Sequence, residues 1–315
     1  MVTLAHEHTA AGKRGRRPRG SALMLVLAAI IMMSLTVMGT VEFMHYSQAE
    51  NGREAQAFRA LNLAECGIAL GLHPQIKPGD PALKQQMGTD SGFEVVISSE
   101  GSRIPINYIT DVKYREIIYN LFILWKLTPE EANVAADSLA DWVDTNEDLR
   151  SQGAEKDYYE SRGFADFPRQ QGFTSLEEML LVRGMDAVER AKPDWRNFFS
   201  IYGDGLIDLN YAPADVLMAV ADAEQGDADT LIRERNGPDS VAGTEDDVTL
   251  TTTKAEQLLG MDSATSTSLA SYITTDHLTR RVESTGRVGE QRYKIVVIAR
   301  RQDDGSLNYL ARTEE

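Results

Sequence analysis

SALMLVLAAIIMMSLTVMGTV, residues 21 to 41, carries no charged side chain and no proline, and Glu42 closes it. An α-helix rises about 1.5 Å per residue, so roughly 20 such residues cross a ~30 Å hydrocarbon core. The stretch is long enough to span a membrane. Directly before it, KRGRRPRG at 13 to 20 sets five basic side chains ahead of the apolar run and ends in a glycine. Lys and Arg concentrated beside a hydrophobic segment hold that side in the cytoplasm, which predicts that the bulk of the chain lies across the membrane. A cleaved secretory signal has a shorter apolar core followed by a small-residue cut site; here the small residue, Gly20, precedes the core. Two readings follow: an anchor that is never cut, or a leader removed between Gly20 and Ser21 that leaves the apolar helix as the mature N-terminus.

The chain as a whole has the make-up of an ordinary globular protein, with 42% hydrophobic and 25% charged residues in 315. Five basic residues against Glu7 give the first twenty residues a balance of +4, so a total of −16 leaves about −20 for the rest. Such a surface repels phosphate and makes nucleic acid an unsuitable partner. The single cysteine, Cys66, excludes an internal disulfide and reads as a small packed residue on a helix.

Beyond Glu42 no proline occurs before Pro74, and Phe58, Leu61, Ile68 and Leu72 recur near a helical period. The helix therefore continues from 21 to 72, with 21–41 as its membrane segment, until the proline-rich LHPQIKPGDPAL at 72 to 83 stops it. GFEVVISSEGSRIPIN, 92 to 107, reads as a hairpin turning at Glu100 and Gly101. Further strands are expected at 280–287, 291–301 and 307–312. Between these sets the pattern is helical: Ile117 to Leu127; a helix to about Val143 launched by the capping box Thr128-Pro-Glu-Glu131; another launched at Ser175 and running through Leu181; one opened by Pro213; and one over Asp229 to Arg235. The predicted class is α+β: a long N-terminal helix packed on a small antiparallel sheet, whose strands at 73–107 and 276–315 flank an inserted α-helical domain at 108–275.

The segment DWVDTNEDLRSQGAEKDYY, 141 to 159, holds the densest candidate chemistry. Asp144, Asn146 and Asp148 alternate as in a hard-cation loop, with Glu155 following Gly153. It lacks the glycine and the twelfth-position glutamate of an EF-hand, so a solvated acidic helix end competes with a metal site. A weaker acidic loop places Asp239, Asp246 and Asp247 around Gly243. Residues 205 to 236 are similar to helix-hairpin-helix modules, but Ala223 to Asp229 carries three acids where phosphate would sit. The five histidines are scattered, and no nucleophile stands beside one at motif spacing, so no enzyme activity is expected.

Basic leader, glycine and retained apolar helix, in that order, resemble type IV prepilins and pseudopilins. Most of these carry glutamate as the fifth residue after the processing glycine, where this chain has Leu25. Asp141-Trp-Val-Asp144, Gly153-Ala-Glu155 with Tyr158 and Tyr159, Ser175 to Val182 with Gly184-Met185, Ile201 to Ala212, and Arg281-Val-Glu-Ser-Thr-Gly286 fall in the order seen in K-type minor pseudopilins of type II secretion. That type usually lacks the glutamate. The resemblance implies cleavage after Gly20 by the prepilin peptidase with methylation of Ser21, and a pseudopilin core carrying a helical insert. It also implies a single-pass inner-membrane location with a periplasmic C-terminal part. Partners would be the I, J and H minor pseudopilins at the pseudopilus tip, with the secreted substrate or the secretin as further candidates. It implies Ca2+ in the inserted domain, which favours Asp144, Asn146, Asp148 and Glu155 as ligands. The rival readings are a minor pilin of a type IV pilus and a membrane-anchored helix-hairpin-helix protein of DNA uptake.

Overall fold

A computed structural model describes residues 21–302 and 304–315; the basic leader, Gly20 included, lies outside the described residues. A proline-free run this long favours one continuous helix, and α1 extends over Ser21–Gly71. The chain divides into two compact units, Met1–Ala55 and Gln56–Glu315. In the first, the apolar side chains face outward: Leu23, Leu25 and Met32 are each at least 70% exposed. Three hydroxyls in the apolar run bond to the helix itself, Ser34 Oγ donating to the Ile30 carbonyl (2.8 Å), Thr36 Oγ1 to that of Met32 (2.9 Å) and Thr40 Oγ1 to that of Thr36 (2.8 Å). Such internal bonds let hydroxyls sit in an apolar surround.

In the second unit, α1 from Gln56 onward lies on a five-stranded antiparallel sheet. The strands are β1 (Lys84–Gln86) and β2 (Ser91–Ser99), then, far along the chain, β7 (Thr279–Val288), β8 (Gln291–Arg301) and β9 (Leu307–Glu314), in that spatial order. Alternation fixes the buried face. Phe93, Val95 and Ile97 of β2, Val282 of β7, and Ile295, Val297 and Ala299 of β8 meet Ala64, Ile68 and Leu72. The helix comes unusually close because Gly286 leaves room: a Cβ there would stand 1.9 Å from the Ala60 carbonyl oxygen.

The segment between β2 and β7 builds a separate and larger buried cluster. It runs through β3 (Ile104–Pro105), α2 (Val112–Leu124), α3 (Pro129–Val143), α4 (Lys156–Glu160), α5 (Met185–Ala191), β4 (Phe199–Ser200), β5 (Ile207–Asp208), α6 (Ala214–Ala221), α7 (Gln225–Arg235), α8 (Thr252–Leu258), α9 (Ser263–Leu269) and β6 (Ile273–Thr274). Trp142, Trp195, Tyr114 and Tyr159 are its largest fully buried side chains.

Several expectations need correction. No hairpin turns at Glu100 and Gly101; Glu100–Ser102 forms a 3-10 turn, and β3 pairs in parallel with β4 instead of folding back on β2. The cause is burial: Glu100 is 2% exposed and is held by Arg103 (3.0 Å) and Ser200 Oγ (2.6 Å), which draws the chain away from the sheet. The first helix of this segment starts earlier than Ile117, because Asp111 Oδ1 caps the Lys113 amide (2.7 Å), and it ends at Leu124. Ser175 Oγ does accept from the Glu178 amide (3.3 Å), yet only a 3-10 turn, Glu177–Leu181, follows. Cys66 lies on α1 as read but is exposed, not packed. Of the scattered histidines, His277 has a carboxylate partner distant in sequence: its buried ring contacts Asp204 Oδ1 at 2.7 Å.

Candidate functional site

The acidic site grows out of α3. Thr128 accepts from the Glu131 amide (3.2 Å) and the Glu131 carboxylate accepts from the Thr128 amide (2.9 Å), so the capping box read from sequence is in place. Asp137, Asp141 and Asp144 then follow at i, i+4 and i+7, which puts three carboxylates on one helix face. Asp137 is fully engaged, accepting from Arg115 Nε (2.8 Å) and from the Gln152 amide (3.0 Å). The other two share a single guanidinium: Arg150 Nη1 donates to Asp141 Oδ1 (2.6 Å) and to Asp144 Oδ2.

What remains is unpartnered. Asp141 Oδ2, Asp144 Oδ1 and both oxygens of Glu155 are buried without a hydrogen-bond partner among the described residues. Exposure of the three residues is 0%, 9% and 7%. Burial, followed by the charges of Asp141, Asp144 and Glu147, pushes the Glu155 carboxyl up to about 7. Burial also raises Asp141, against the opposing pull of Arg150. Gly153 presses on this cluster: a Cβ there would sit 1.8 Å from Asp141 Oδ2, so only glycine lets the loop close over the carboxylate. Its carbonyl is fixed in turn by Arg183 Nη1 (2.8 Å).

Of the four ligands read from the sequence, Asp144 and Glu155 thus belong to one buried group. Asn146 and Asp148 do not join it. Both are exposed, and Asn146 Oδ1 accepts from the Asp148 amide (2.8 Å), a local turn that accounts for their alternation. The sequence reading missed Asp141, although its helical spacing from Asp137 and Asp144 was the available signal. It also missed Arg150 as the partner of that face. An all-oxygen donor set with orphaned buried carboxylates suits a hard cation. Among the described residues no three His, Cys, Asp or Glu side chains already stand at ligating spacing, so side-chain rotation would have to complete the set.

The second acidic loop is more self-contained. Asp239 Oδ1 accepts from the Val241 amide (2.8 Å), Asp246 Oδ2 from that of Asp239 (3.0 Å), and Asp247 Oδ2 from that of Gly243 (2.7 Å). One buried oxygen, Asp247 Oδ1, has no partner. Gly243 has φ +83°, the left-handed conformation the loop requires.

The stretch that contains the acidic face of α3 is also the one with a known family pattern: residues 103–193 match the model of the type II secretion system protein K. Over those residues, less than a third of its length, the chain is similar to protein K of type II secretion. Its fold is similar to a chain in "The Crystal Structure of the GspK-GspI-GspJ complex from enterotoxigenic Escherichia coli Type 2 Secretion System", with a TM-score of 0.57 and 16% identity over 88% of this chain and 99% of that one. Comparison with curated proteins finds no match.

Proposed function

We propose that this chain is a protein K of type II secretion that caps the pseudopilus as its terminal minor pseudopilin, a structural part of the export apparatus rather than an enzyme. The observation that carries the proposal is the single helix Ser21–Gly71, apolar at its start and packed on a sheet at its end. The large helical segment between β2 and β7 suits a terminal place, because it would obstruct a subunit stacked above. Leu25 supports the same reading. A glutamate at that position in other pseudopilins is expected to neutralise the amine of the subunit ahead, and a terminal subunit has none ahead.

In this reading the leader is removed after Gly20 and the Ser21 amine is methylated. The apolar run sits in the inner membrane with the globular part in the periplasm. The solved complex to which the fold is similar joins GspK, GspI and GspJ, so the I and J minor pseudopilins are the proposed direct partners, with the H type next below. Mass spectrometry of the membrane-extracted protein tests the processing step. A mature chain starting at Ser21 and heavier by one methyl group is expected; a chain starting at Met1, or cut after the apolar run, would sink the proposal.

The proposal includes one Ca2+ in the helical segment, held by Asp141, Asp144 and Glu155, where it would neutralise buried carboxylates and tie the 144–155 loop to α3. The orphaned oxygens at those residues are its support. Adding Ca2+ to chelator-treated protein should raise the melting temperature in proportion to the logarithm of its concentration above Kd. A flat response would remove the cation from the account. Asp239, Asp246 and Asp247 form the secondary candidate, supported only by the one open oxygen of Asp247.

A further inference from the structure

We infer that Arg150 is a positioning residue that stays at the acidic cluster when a cation binds and tunes the cluster to a charge of two. The inference rests on the cation reading above. Its basis is a division of oxygens. Arg150 Nη1 occupies Asp141 Oδ1 and Asp144 Oδ2, while Asp141 Oδ2, Asp144 Oδ1 and the Glu155 carboxylate are the open atoms. Guanidinium and cation therefore do not compete for the same lone pairs.

The charge count points the same way. Ionised Asp141, Asp144 and Glu155 carry three negative charges, and among the described residues Arg150 is the ion-pair partner of the first two while Glu155 has none. Two charges remain uncompensated at residues that are at most 9% exposed. A divalent ion neutralises them, a monovalent ion leaves one, and a trivalent ion overshoots. Buried charge left unbalanced is expensive, so this count discriminates between ions. Arg150 is also held from its own backbone: its carbonyl accepts from the Gly153 amide (3.1 Å), the residue that lies against Asp141. The same short turn thus carries the guanidinium and the glycine that fits over the carboxylate.

The test compares Ca2+ and Tb3+ binding to the full chain in detergent, read by calorimetric titration and by the shift of the melting temperature. Wild type, Arg150→Gln and Arg150→Lys are measured in parallel. Removing a resident positive charge strengthens a trivalent ion more than a divalent one, so in Arg150→Gln the ratio of Tb3+ to Ca2+ affinity should rise on the order of tenfold or more. Arg150→Lys keeps the charge and should keep the wild-type ratio. If both ions tighten equally in Arg150→Gln, the arginine is a competitor displaced by the cation and the inference is wrong. An unchanged ratio with unchanged Ca2+ affinity, or a shifted ratio in Arg150→Lys, overturns it as well. Failure of wild type to respond to Ca2+ overturns the cation reading itself, a result separate from every change of ratio.

Discussion

Gly286 offers the sharpest test of how α1 is seated. A Cβ at this position would lie 1.9 Å from the Ala60 carbonyl oxygen and 2.6 Å from the Ala64 nitrogen, both backbone atoms that cannot rotate aside. Non-bonded contacts to carbon settle near about 3.5 Å, so Gly286→Ala should force the helix off the sheet by more than about 1 Å. A gap of that size forfeits roughly a quarter to a half of each contact energy along the interface. The residues affected are Ala64, Ile68 and Leu72 against Phe93, Val95 and Val297. Overpacking of a close-packed core typically costs 1–3 kcal/mol, and a clash with backbone belongs at the upper end, about 3 kcal/mol. For a domain of this size about 2–4 °C accompanies each kcal/mol, so the melting temperature should fall by roughly 6–12 °C. Circular dichroism of the purified chain in detergent would read it, with Gly226→Ala as control. Gly226 sits in α7 with nothing within 4 Å of its would-be Cβ, so alanine there should be neutral or stabilise by about 0.5–1 kcal/mol. If Gly286→Ala melts together with wild type, α1 is not seated on that glycine and the packing argument fails.

Asn210 clamps three backbone groups: its Nδ2 donates to the Leu250 and Thr275 carbonyls, each at 3.0 Å, and its Oδ1 accepts from the Leu250 amide at 3.0 Å. Asn210→Ala should lower stability by about 3 kcal/mol through those orphaned groups, read as a lower urea midpoint; a loss below about 1 kcal/mol would mean water replaces the clamp. Glu283 is held below the ordinary carboxylate range; burial opposes this, but Lys294 (2.7 Å) and Arg281 (2.8 Å) outweigh it. A depressed folded-state value means stability that is present above the unfolded value near 4.5 and lost as pH falls through the folded one. Glu283→Gln should therefore be less stable than wild type at pH 7, with the gap closing below pH 4.5; a gap that stays constant with pH would refute the ion-pair account. Leu25→Glu places a carboxylate in the apolar run at a cost of about 3 kcal/mol unless it is paired. Pseudopilus assembly and secretion should drop, and unchanged secretion would count against the terminal position.

Local signals served the fold well where one force dominated. Absence of proline and an unbroken apolar run sufficed for α1, and β-branched runs bounded by turn residues sufficed for β7, β8 and β9. The reading failed at Glu100 because a Glu-Gly pair after a strand looks like a turn whichever way the chain leaves it. Arg103 is near in sequence, but the other partners of Glu100, Ser200 and Arg281, stand about a hundred residues or more downstream. The acidic site was half legible for a related reason. Alternating Asp144, Asn146 and Asp148 suggested a loop of ligands, but burial selected the helical face instead, pairing Asp141 with Asp144 and bringing Glu155 to them. Solvent exposure, which a linear pattern does not encode, separated the two outcomes.

The sheet pairs Ser99 with Arg280, so β2 is finished in the chain long before β7, its neighbour on one side, exists. A chain made from its N-terminus can pair β2 with β1 at once but must hold the other edge of β2 open until β7 arrives, while the helical segment, whose contacts are more local, can already condense. High contact order of this kind slows folding and leaves a strand edge open to the wrong partner. Closure of the sheet thus becomes the last event of biogenesis, and a chain cut short before Thr279 would present β2 as an adhesive edge.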